Sequence, residues 1–323
     1  MSHEQHIVIL DAGPTGSDVV WPPLEQFGKV TRYENTTPNE LGSRLKDATI
    51  ALTNKVVISA ASIAAAPKLA YIGTIATGFN HVDVDAARAR NIPVCNVPNY
   101  STTAVAQHTF GLILALASGV HFHAIDVKNG LWAQSNYYCF WNQTPMELEG
   151  KTLGLVGFGN IGMAVGRLAH AFGMKVVAFV PRPKPLPEYS PFAFVGLNEL
   201  FTQSDVVSLH CNLSLENTHL INAERLKTMK KTALLINCSR GPLINDHDLA
   251  QALHEGTIAG AGLDVVEKEP MPDSNPLRTA PNCIITPHIA WATIEARTRL
   301  LDIAHNNIKM FLQNSPINVV NAL

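Results

Sequence analysis

The sequence predicts an α/β protein built from two parallel-sheet units, and three observations carry that prediction. Short apolar runs alternate with helix-like stretches along most of the 323 residues, the pattern of parallel sheets covered by helices on both faces. The alternation breaks once, at a long apolar helix and an aromatic segment between Ser101 and Lys151, and then restarts. The closing stretch TIEARTRLLDIAHNNIKMFLQN reads as an amphipathic helix cut off from the first run by the whole second unit. That second unit is continuous, so the final helix is expected to return to the first. The expected division is residues 1–100 with 289–323 as one discontinuous domain and residues 101–288 as the other. A chain of this length is comfortable for two cores.

The elements follow in order. HIVIL opens as a short buried strand ended by the turn-rich DAGPTG, and further strands are expected at ATIALT, AYIGTI and IPVCNV. Helix-like stretches such as SAASIAAAP and DVDAARAR separate them. STTAVAQHTFGLILALASGV reads as one helix, with Ser101 or Thr102 as its N-cap, and its nearly all-round apolarity predicts burial between domains or subunits. GLWAQSNYYCFWNQTPMELEGK has no clear periodicity. After it, strands are expected at KTLGLVGFG, KVVAFV, DVVSLH, ALLINC, AGAGLDVV and CIITPH, with helices between the earlier ones.

Composition narrows the function. Hydrophobic residues make up 46% and charged residues 15%, a globular profile. The net charge of −2 offers no basic stripe for nucleic acid. The longest apolar run, FGLILALASGV, is too short to span a bilayer, and the start MSHEQHIVIL lacks the basic and apolar regions of a signal peptide. Cys95, Cys139, Cys211, Cys238 and Cys283 are scattered without a C-x-x-C pair, which suits buried thiols in a reducing cytoplasm. The histidines form no metal-ligand spacing, so no metal is expected.

VGFGNIG places Gly157, Gly159 and Gly162 in G-x-G-x-x-G spacing after an expected strand and at the start of an expected helix. That context is what a dinucleotide fingerprint requires. The first glycine permits the tight turn, the second lets backbone approach a pyrophosphate, and the third lets helix and strand pack closely. A carboxylate for the ribose hydroxyl is expected about 20 residues on, but KVVAFV delivers Val180, followed by Pro181, Arg182 and Lys184. Valine accepts no hydrogen bond, whereas Arg182 and Lys184 suit a 2′-phosphate. The reading favours NADP(H), with NAD(H) as the alternative.

Three later motifs carry chemistry: Arg240 in NCSRGPLIN just after a strand, Asp264 at a strand end with Glu269 in the loop beyond in GLDVVEKEP, and His288 in TPHIAWAT just after another strand. In a doubly wound sheet the carboxyl ends of strands face the ligand crevice. A guanidinium can grip a carboxylate and the neighbouring carbonyl of a 2-oxo acid, and a histidine can give that carbonyl oxygen a proton. A glutamate beside the histidine orients the ring and favours its protonated form.

Taken together with ATGFNHVDVDAARARNIPVCNVPNYSTTAVAQHT and ELEGKTLGLVGFGNIG, these motifs resemble the D-isomer-specific 2-hydroxy acid dehydrogenase family, in its glycerate dehydrogenase/hydroxypyruvate reductase branch, over roughly Tyr71 to Thr293. The resemblance implies two Rossmann-like doubly wound domains with a cleft between them. The discontinuous one would be the substrate domain and the other the nucleotide-binding domain. It implies a homodimer with contacts from the long helix and the aromatic segment. It gives Arg240, Glu269 and His288 the family's catalytic roles, and gives Ala76, Thr77 and Gly78 the role of backbone donors to the substrate carboxylate. Asn160 and Ile161 would touch the pyrophosphate. His210, Cys211 and Asn217 would line the adenine and ribose side, and Cys238 and Asp264 would lie towards the nicotinamide. The implied reaction is hydride transfer between a nicotinamide cofactor and a small 2-oxo acid/D-2-hydroxy acid pair, hydroxypyruvate/D-glycerate or glyoxylate/glycolate. A dinucleotide-sensing, corepressor-like binding protein on the same fold is the alternative. The sequence departs from the family pattern at Val180, where NAD-using members carry an acid, and at Gln107, where a glutamate is frequent.

Overall fold

The apolar runs that the sequence marks as buried form the strands of two separate parallel sheets. The computed structural model describes residues 5–182 and 184–322. It divides into two units, Met1–Ser101 with Ala292–Leu323, and Thr102–Trp291.

The first unit holds strands β1 (Gln5–Ile9), β2 (Gly28–Arg32), β3 (Ile50–Thr53), β4 (Tyr71–Thr74) and β5 (Val94–Cys95) in the order β2-β1-β3-β4-β5. All described pairings between these strands are parallel. Helices α1 (Pro38–Leu45), α2 (Ala60–Ala64) and α3 (Val84–Ala89) connect them. Each helix begins at a residue that can cap it. Thr37 forms a reciprocal capping box with Glu40, while Ser59 and Asp83 accept backbone N–H bonds from Ser62 and Ala86. Val8, Leu10, Ala51, Ile72 and Val94 on the sheet pack against Leu41, Leu45, Ile63 and Ala87 of these helices. The closing helix α10 (Ile294–Leu312) belongs to this unit, and Phe311 meets the buried Tyr71 ring at 4.8 Å.

The second unit opens with helix α4 (Thr102–Ser118). The helix expected over residues 101–120 ends at Ser118: Gly119 adopts φ 63°, and a further helix that the sequence reading did not expect, α5 (Val120–Lys128), starts beyond it. Glycine enters the left-handed region without the steric cost other residues bear. The 17 residues of α4 carry nine buried side chains. No single helix among the described residues is long and apolar enough to cross a membrane.

A seven-stranded parallel sheet follows, in the order β12-β11-β10-β9-β6-β7-β8. Its strands are β6 (Thr152–Val156), β7 (Lys175–Phe179), β8 (Phe192–Phe194), β9 (Val206–Leu209), β10 (Leu234–Asn237), β11 (Gly260–Leu263) and β12 (Cys283–Ile285). Helices α6 (Asn160–Ala171), α7 (Leu197–Gln203), α8 (Ala223–Thr228) and α9 (Asp246–His254) connect them. Edge strand β8 is an element the sequence reading did not expect, since its three residues follow a proline-rich loop and give too short a run to show a period. The period-two geometry of a strand sorts the core into two layers. Leu153 and Leu155, Val176 and Ala178, and Leu234 and Ile236 face one layer with α4 and α6. Val156, Val177, Val207 and Leu235 face the other with α7 to α9.

Candidate active site

The C-terminal ends of the second unit's strands collect nearly every chemistry-bearing residue singled out from the sequence. From β6 the chain winds outward through β7 to β8, then returns to β9 and winds the other way to β12. The switch point between β6 and β9 is where an open α/β sheet leaves a crevice for a ligand.

The glycine loop lies at that point. Gly157 has φ 99°, and a Cβ on it would stand 2.6 Å from the carbonyl oxygen of His210, so both its conformation and the strand behind it demand glycine. A Cβ on Gly162 would stand 2.4 Å from the carbonyl oxygen of Gly157, which shows how closely α6 approaches the loop. Gly159 differs: a Cβ there would meet nothing within 4 Å. It is the N-cap of α6 and supplies no side-chain cap, and the space beside its Cα at the helix start is open. This arrangement fits the pyrophosphate of a dinucleotide. Asn160 and Ile161 form the first turn beside it.

Past β7, Val180 is half-buried and packs into the core layer under α6, while Arg182 is exposed and makes no hydrogen bond or ion pair among the described residues. Lys184 is committed to the loop itself, its Nζ donating to the carbonyl oxygen of Phe158 at 2.9 Å. Past β9 comes His210, whose Nε2 lies 2.8 Å from Ser208 Oγ. The residue keeps some solvent contact, yet enclosure of the ring pushes its pKa down to about 4, so the imidazole is neutral at physiological pH. Burial pushes the Cys211 thiol up from its usual value. Asn217 spends its amide on its own loop, accepting from Ser214 N at 2.7 Å and donating to Asn212 O at 2.7 Å.

Past β10, Cys238 is buried, and that burial pushes its thiol up to about 12, so it is no thiolate nucleophile. Asn237 braces the next turn, donating to Arg240 O at 2.9 Å and accepting from Ser239 N at 3.0 Å. Arg240 Nη1 donates to Ser239 O at 2.7 Å, and its other N–H groups donate to nothing among the described residues. The guanidinium is therefore oriented but not consumed.

Asp264, at the end of β11, is 1% exposed and organises the loop that follows β12. Its carboxylate accepts from Ile289 N at 2.9 Å, Ala290 N at 2.8 Å and Thr286 Oγ1 at 2.6 Å. Its carbonyl oxygen takes the N–H of His288 at 2.8 Å. His108, from α4, places Nε2 2.9 Å from Thr286 Oγ1. Because the threonine proton goes to the carboxylate, His108 must donate to the hydroxyl, which fixes a chain from His108 Nε2–H through Thr286 to Asp264. The product of this bracing is His288, held at φ 55° with Nδ1 2.7 Å from Glu269 Oε2. The imidazole is thus oriented through one nitrogen and keeps Nε2 for other work. Trp291 donates its indole N–H to His288 O at 2.9 Å. His108 and Thr286 were missed by sequence reasoning. Nothing in a helix's apolar face marks one polar residue as a brace for a distant loop.

In the first unit, residues 76–78 follow β4. Ala76 O accepts from Val97 N at 2.9 Å, Thr77 O accepts from Asn96 Nδ2 at 2.8 Å, and Thr77 Oγ1 donates to Val97 O at 3.0 Å. The N–H groups of Ala76, Thr77 and Gly78 donate to nothing among the described residues. Pinned carbonyls beside open N–H groups suit a small anion. Among the described residues no group of three or more His, Cys, Asp or Glu side chains could hold a metal ion.

The family described as "D-isomer specific 2-hydroxyacid dehydrogenase, NAD binding domain" matches residues 110–290. A hydroxypyruvate reductase of Blautia hydrogenotrophica is 43% identical over 319 residues, spanning 98% of this chain and 99% of that one. A glycerate dehydrogenase of Methylorubrum extorquens is 42% identical over 293 residues, spanning 90% of this chain and 91% of that one. Among solved structures, the TT0316 protein of Thermus thermophilus superposes with a TM-score of 0.87 at 36% identity, covering 98% of this chain and all of that one (100%).

Proposed function

The chain belongs to the D-isomer specific 2-hydroxyacid dehydrogenase family, and from that premise we propose that it interconverts hydroxypyruvate and D-glycerate, or glyoxylate and glycolate. The observation that carries the reading is the 2.7 Å pair of His288 Nδ1 and Glu269 Oε2 at the strand edge that also bears Arg240 and the glycine loop. When bound, a nicotinamide dinucleotide supplies the hydride for reduction and accepts it in oxidation. Gly157, Gly159, Asn160, Ile161 and Gly162 would hold its pyrophosphate, with His210, Cys211 and Asn217 beyond them and Cys238 and Asp264 towards the nicotinamide.

The chain's own residues do the rest. Arg240 grips the 2-oxo acid through the N–H groups it has not spent and polarises the carbonyl. His288 hands the Nε2 proton to the carbonyl oxygen during reduction and takes it back in the reverse direction. Glu269 holds the ring by Nδ1 and so orients Nε2 towards the substrate. The open N–H groups of Ala76, Thr77 and Gly78 take the substrate carboxylate. These assignments make Met1–Ser101 with Ala292–Leu323 the substrate domain and Thr102–Trp291 the nucleotide-binding domain.

For the cofactor, the half-buried Val180 and the uncommitted Arg182 support NADP(H) over NAD(H). A homodimer is supported by the apolar surface of residues 120–141, where Val120, Trp132, Tyr137, Tyr138 and Trp141 are all exposed. All five cysteines are free, which suits the cytoplasm.

The test is oxidation of NADPH and of NADH with a panel of 2-oxo acids. Turnover of hydroxypyruvate or glyoxylate, faster at low NADPH than at low NADH, is the expected result. Loss of turnover on every acid would leave dinucleotide binding alone as the chain's role. In the same assay Arg182→Ala should raise the KM for NADPH by about tenfold or more while moving that for NADH little, since a charge-assisted bond to phosphate contributes roughly 1.5–3 kcal/mol. Equal effects on both would return Arg182 to the solvated surface.

A further inference from the structure

The carboxylate-binding loop proposed at residues 76–78 is held from two sides. On one, Asn96 and Val97 beyond β5 take its carbonyls and the threonine hydroxyl. On the other, it is held through Ile75, whose N–H donates to Thr53 O at 2.7 Å and whose carbonyl oxygen accepts from Asn54 Nδ2 at 2.8 Å. Asn54 is 5% exposed and is itself fixed from below. Its N–H donates to Asp11 Oδ1 at 2.7 Å, and the N–H groups of Lys55 and Val56 donate to Asp11 Oδ2 at 2.6 Å and 3.2 Å.

Asp11 stands just past β1 and is 4% exposed, and no cation makes an ion pair with it among the described residues. Burial pushes its pKa up against the pull of those N–H bonds. A buried carboxylate without a counter-charge is a costly way to stabilise a fold. What it achieves here is geometric: three successive N–H groups of one turn are tied to one rigid group. The side chain of the first residue in that turn then fixes the carbonyl that precedes Ala76.

We propose that Asp11 and Asn54 are positioning residues for substrate recognition, aligning the N–H groups of Ala76, Thr77 and Gly78 without touching the substrate. This rests on the reading of that loop as the carboxylate site. It assigns a specificity role to two buried residues remote in sequence from the glycine loop and from Arg240, Glu269 and His288.

The test uses the whole enzyme with Asp11→Asn, Asn54→Asp and Thr77→Pro, reading the KM for the 2-oxo acid, kcat, the dissociation constant for the dinucleotide, and inhibition by oxamate. Asn54→Asp keeps the shape but sets a second oxygen against Ile75 O. The KM for the acid and the inhibition constant for oxamate should rise together by about tenfold, with dinucleotide affinity within about twofold of the wild type. A parallel loss of dinucleotide affinity, or an unchanged KM for the acid in a folded Asn54→Asp enzyme, overturns the proposal. If that variant fails to fold, Asn54→Ser removes the same donor with less repulsion and is read by the same criteria. Thr77→Pro deletes one of the loop's N–H groups directly. An unchanged KM for the acid there removes the carboxylate site itself. A raised KM there with an unchanged one in the Asn54 variant removes only the positioning role.

Discussion

Asp264 and Asp11 are both buried just past the C-terminal end of a strand, and each turns its carboxylate onto the backbone of a neighbouring loop. In the second unit the loop so held carries a side chain, His288, already paired with Glu269. In the first unit the braced turn leads to residues 76–78, which offer peptide N–H groups. The same device therefore aims an imidazole in one case and a stretch of backbone in the other. The difference teaches that the two units should respond differently to substitution. The second should be sensitive to which side chain is present, and the first to how its backbone is held.

The largest expected effect breaks or sustains that contrast directly. His288→Asn removes the group proposed to move the proton, and kcat should fall by roughly 10²–10⁴-fold with the dinucleotide dissociation constant unchanged. Thr77→Ala removes only the hydroxyl bond to Val97 O, and kcat/KM should fall by no more than about fivefold. Steady-state kinetics on both variants decides the matter. Comparable losses would mean that the first unit also works through its side chains.

The glycine loop offers a contrast within one motif. Gly159→Ala has room for its methyl group and should leave the melting temperature near that of the wild type, while dinucleotide affinity falls by about tenfold or more as the pyrophosphate is crowded. Gly162→Ala drives a methyl group to 2.4 Å from Gly157 O and should lower stability, by about 1–3 kcal/mol as overpacking does. Thermal melts with and without dinucleotide separate the two. Equal melting temperatures would mean that α6 is free to shift.

A smaller effect is expected at Thr286→Val. It takes the 2.9 Å partner from His108 Nε2, leaving Asp264 Oδ1 at 3.5 Å as the alternative, and takes one donor from Asp264. An unmade buried bond costs about 1–3 kcal/mol, and the His288 loop should loosen accordingly. We expect kcat to fall by about tenfold with little change in KM for the dinucleotide. Thr286→Ser, which keeps the hydroxyl, should restore most of the rate, and a failure to do so would show that the methyl group's packing was the relevant contact.

These cases also show which parts of the molecule are legible in its sequence. The placement of the glycine loop, Arg240, Glu269 and His288 past strand ends is readable because the strand period marks those ends, and backbone geometry demands glycine in the loop. Asp11, Asn54, His108 and Thr286 are not, because their partners lie far along the chain; Asn54 and Ile75 are 21 residues apart, and His108 and Thr286 are 178 apart. One signal was available: Asp11 interrupts an apolar strand at its carboxyl end, the position from which Asp264 was singled out. Helix α5 was hidden for another reason: Val120–Lys128 mixes apolar and polar side chains and buries none of them, so no core-facing stripe marks it.

The least of these effects distinguishes the units by their response to acid. His210, in the second unit, has its pKa pushed from 6.5 down to about 4 by burial, so the folded state prefers the neutral ring. A depressed folded value means stability that is complete above 6.5 and is lost as pH falls through the window down to about 4. In the first unit, Asp18 is held down to about 2 from 3.8, chiefly by the Arg297 guanidinium, so its contribution survives until pH falls below about 3.8. Asp11 acts in the opposite sense: its raised value means that ionisation costs stability, and acid relieves that cost. Burial also lowers His305 in the first unit, partly offset by Asp302, so that unit is not wholly insensitive between these limits. Hydrogen exchange followed peptide by peptide from pH 7 to pH 4.5 should therefore show protection falling first around β9 and β10. His210→Asn, which cannot titrate, should flatten that fall in the second unit and leave the first unit's profile unchanged. An unflattened profile would mean that the His210 ring takes up its proton in the folded state as readily as in the unfolded one.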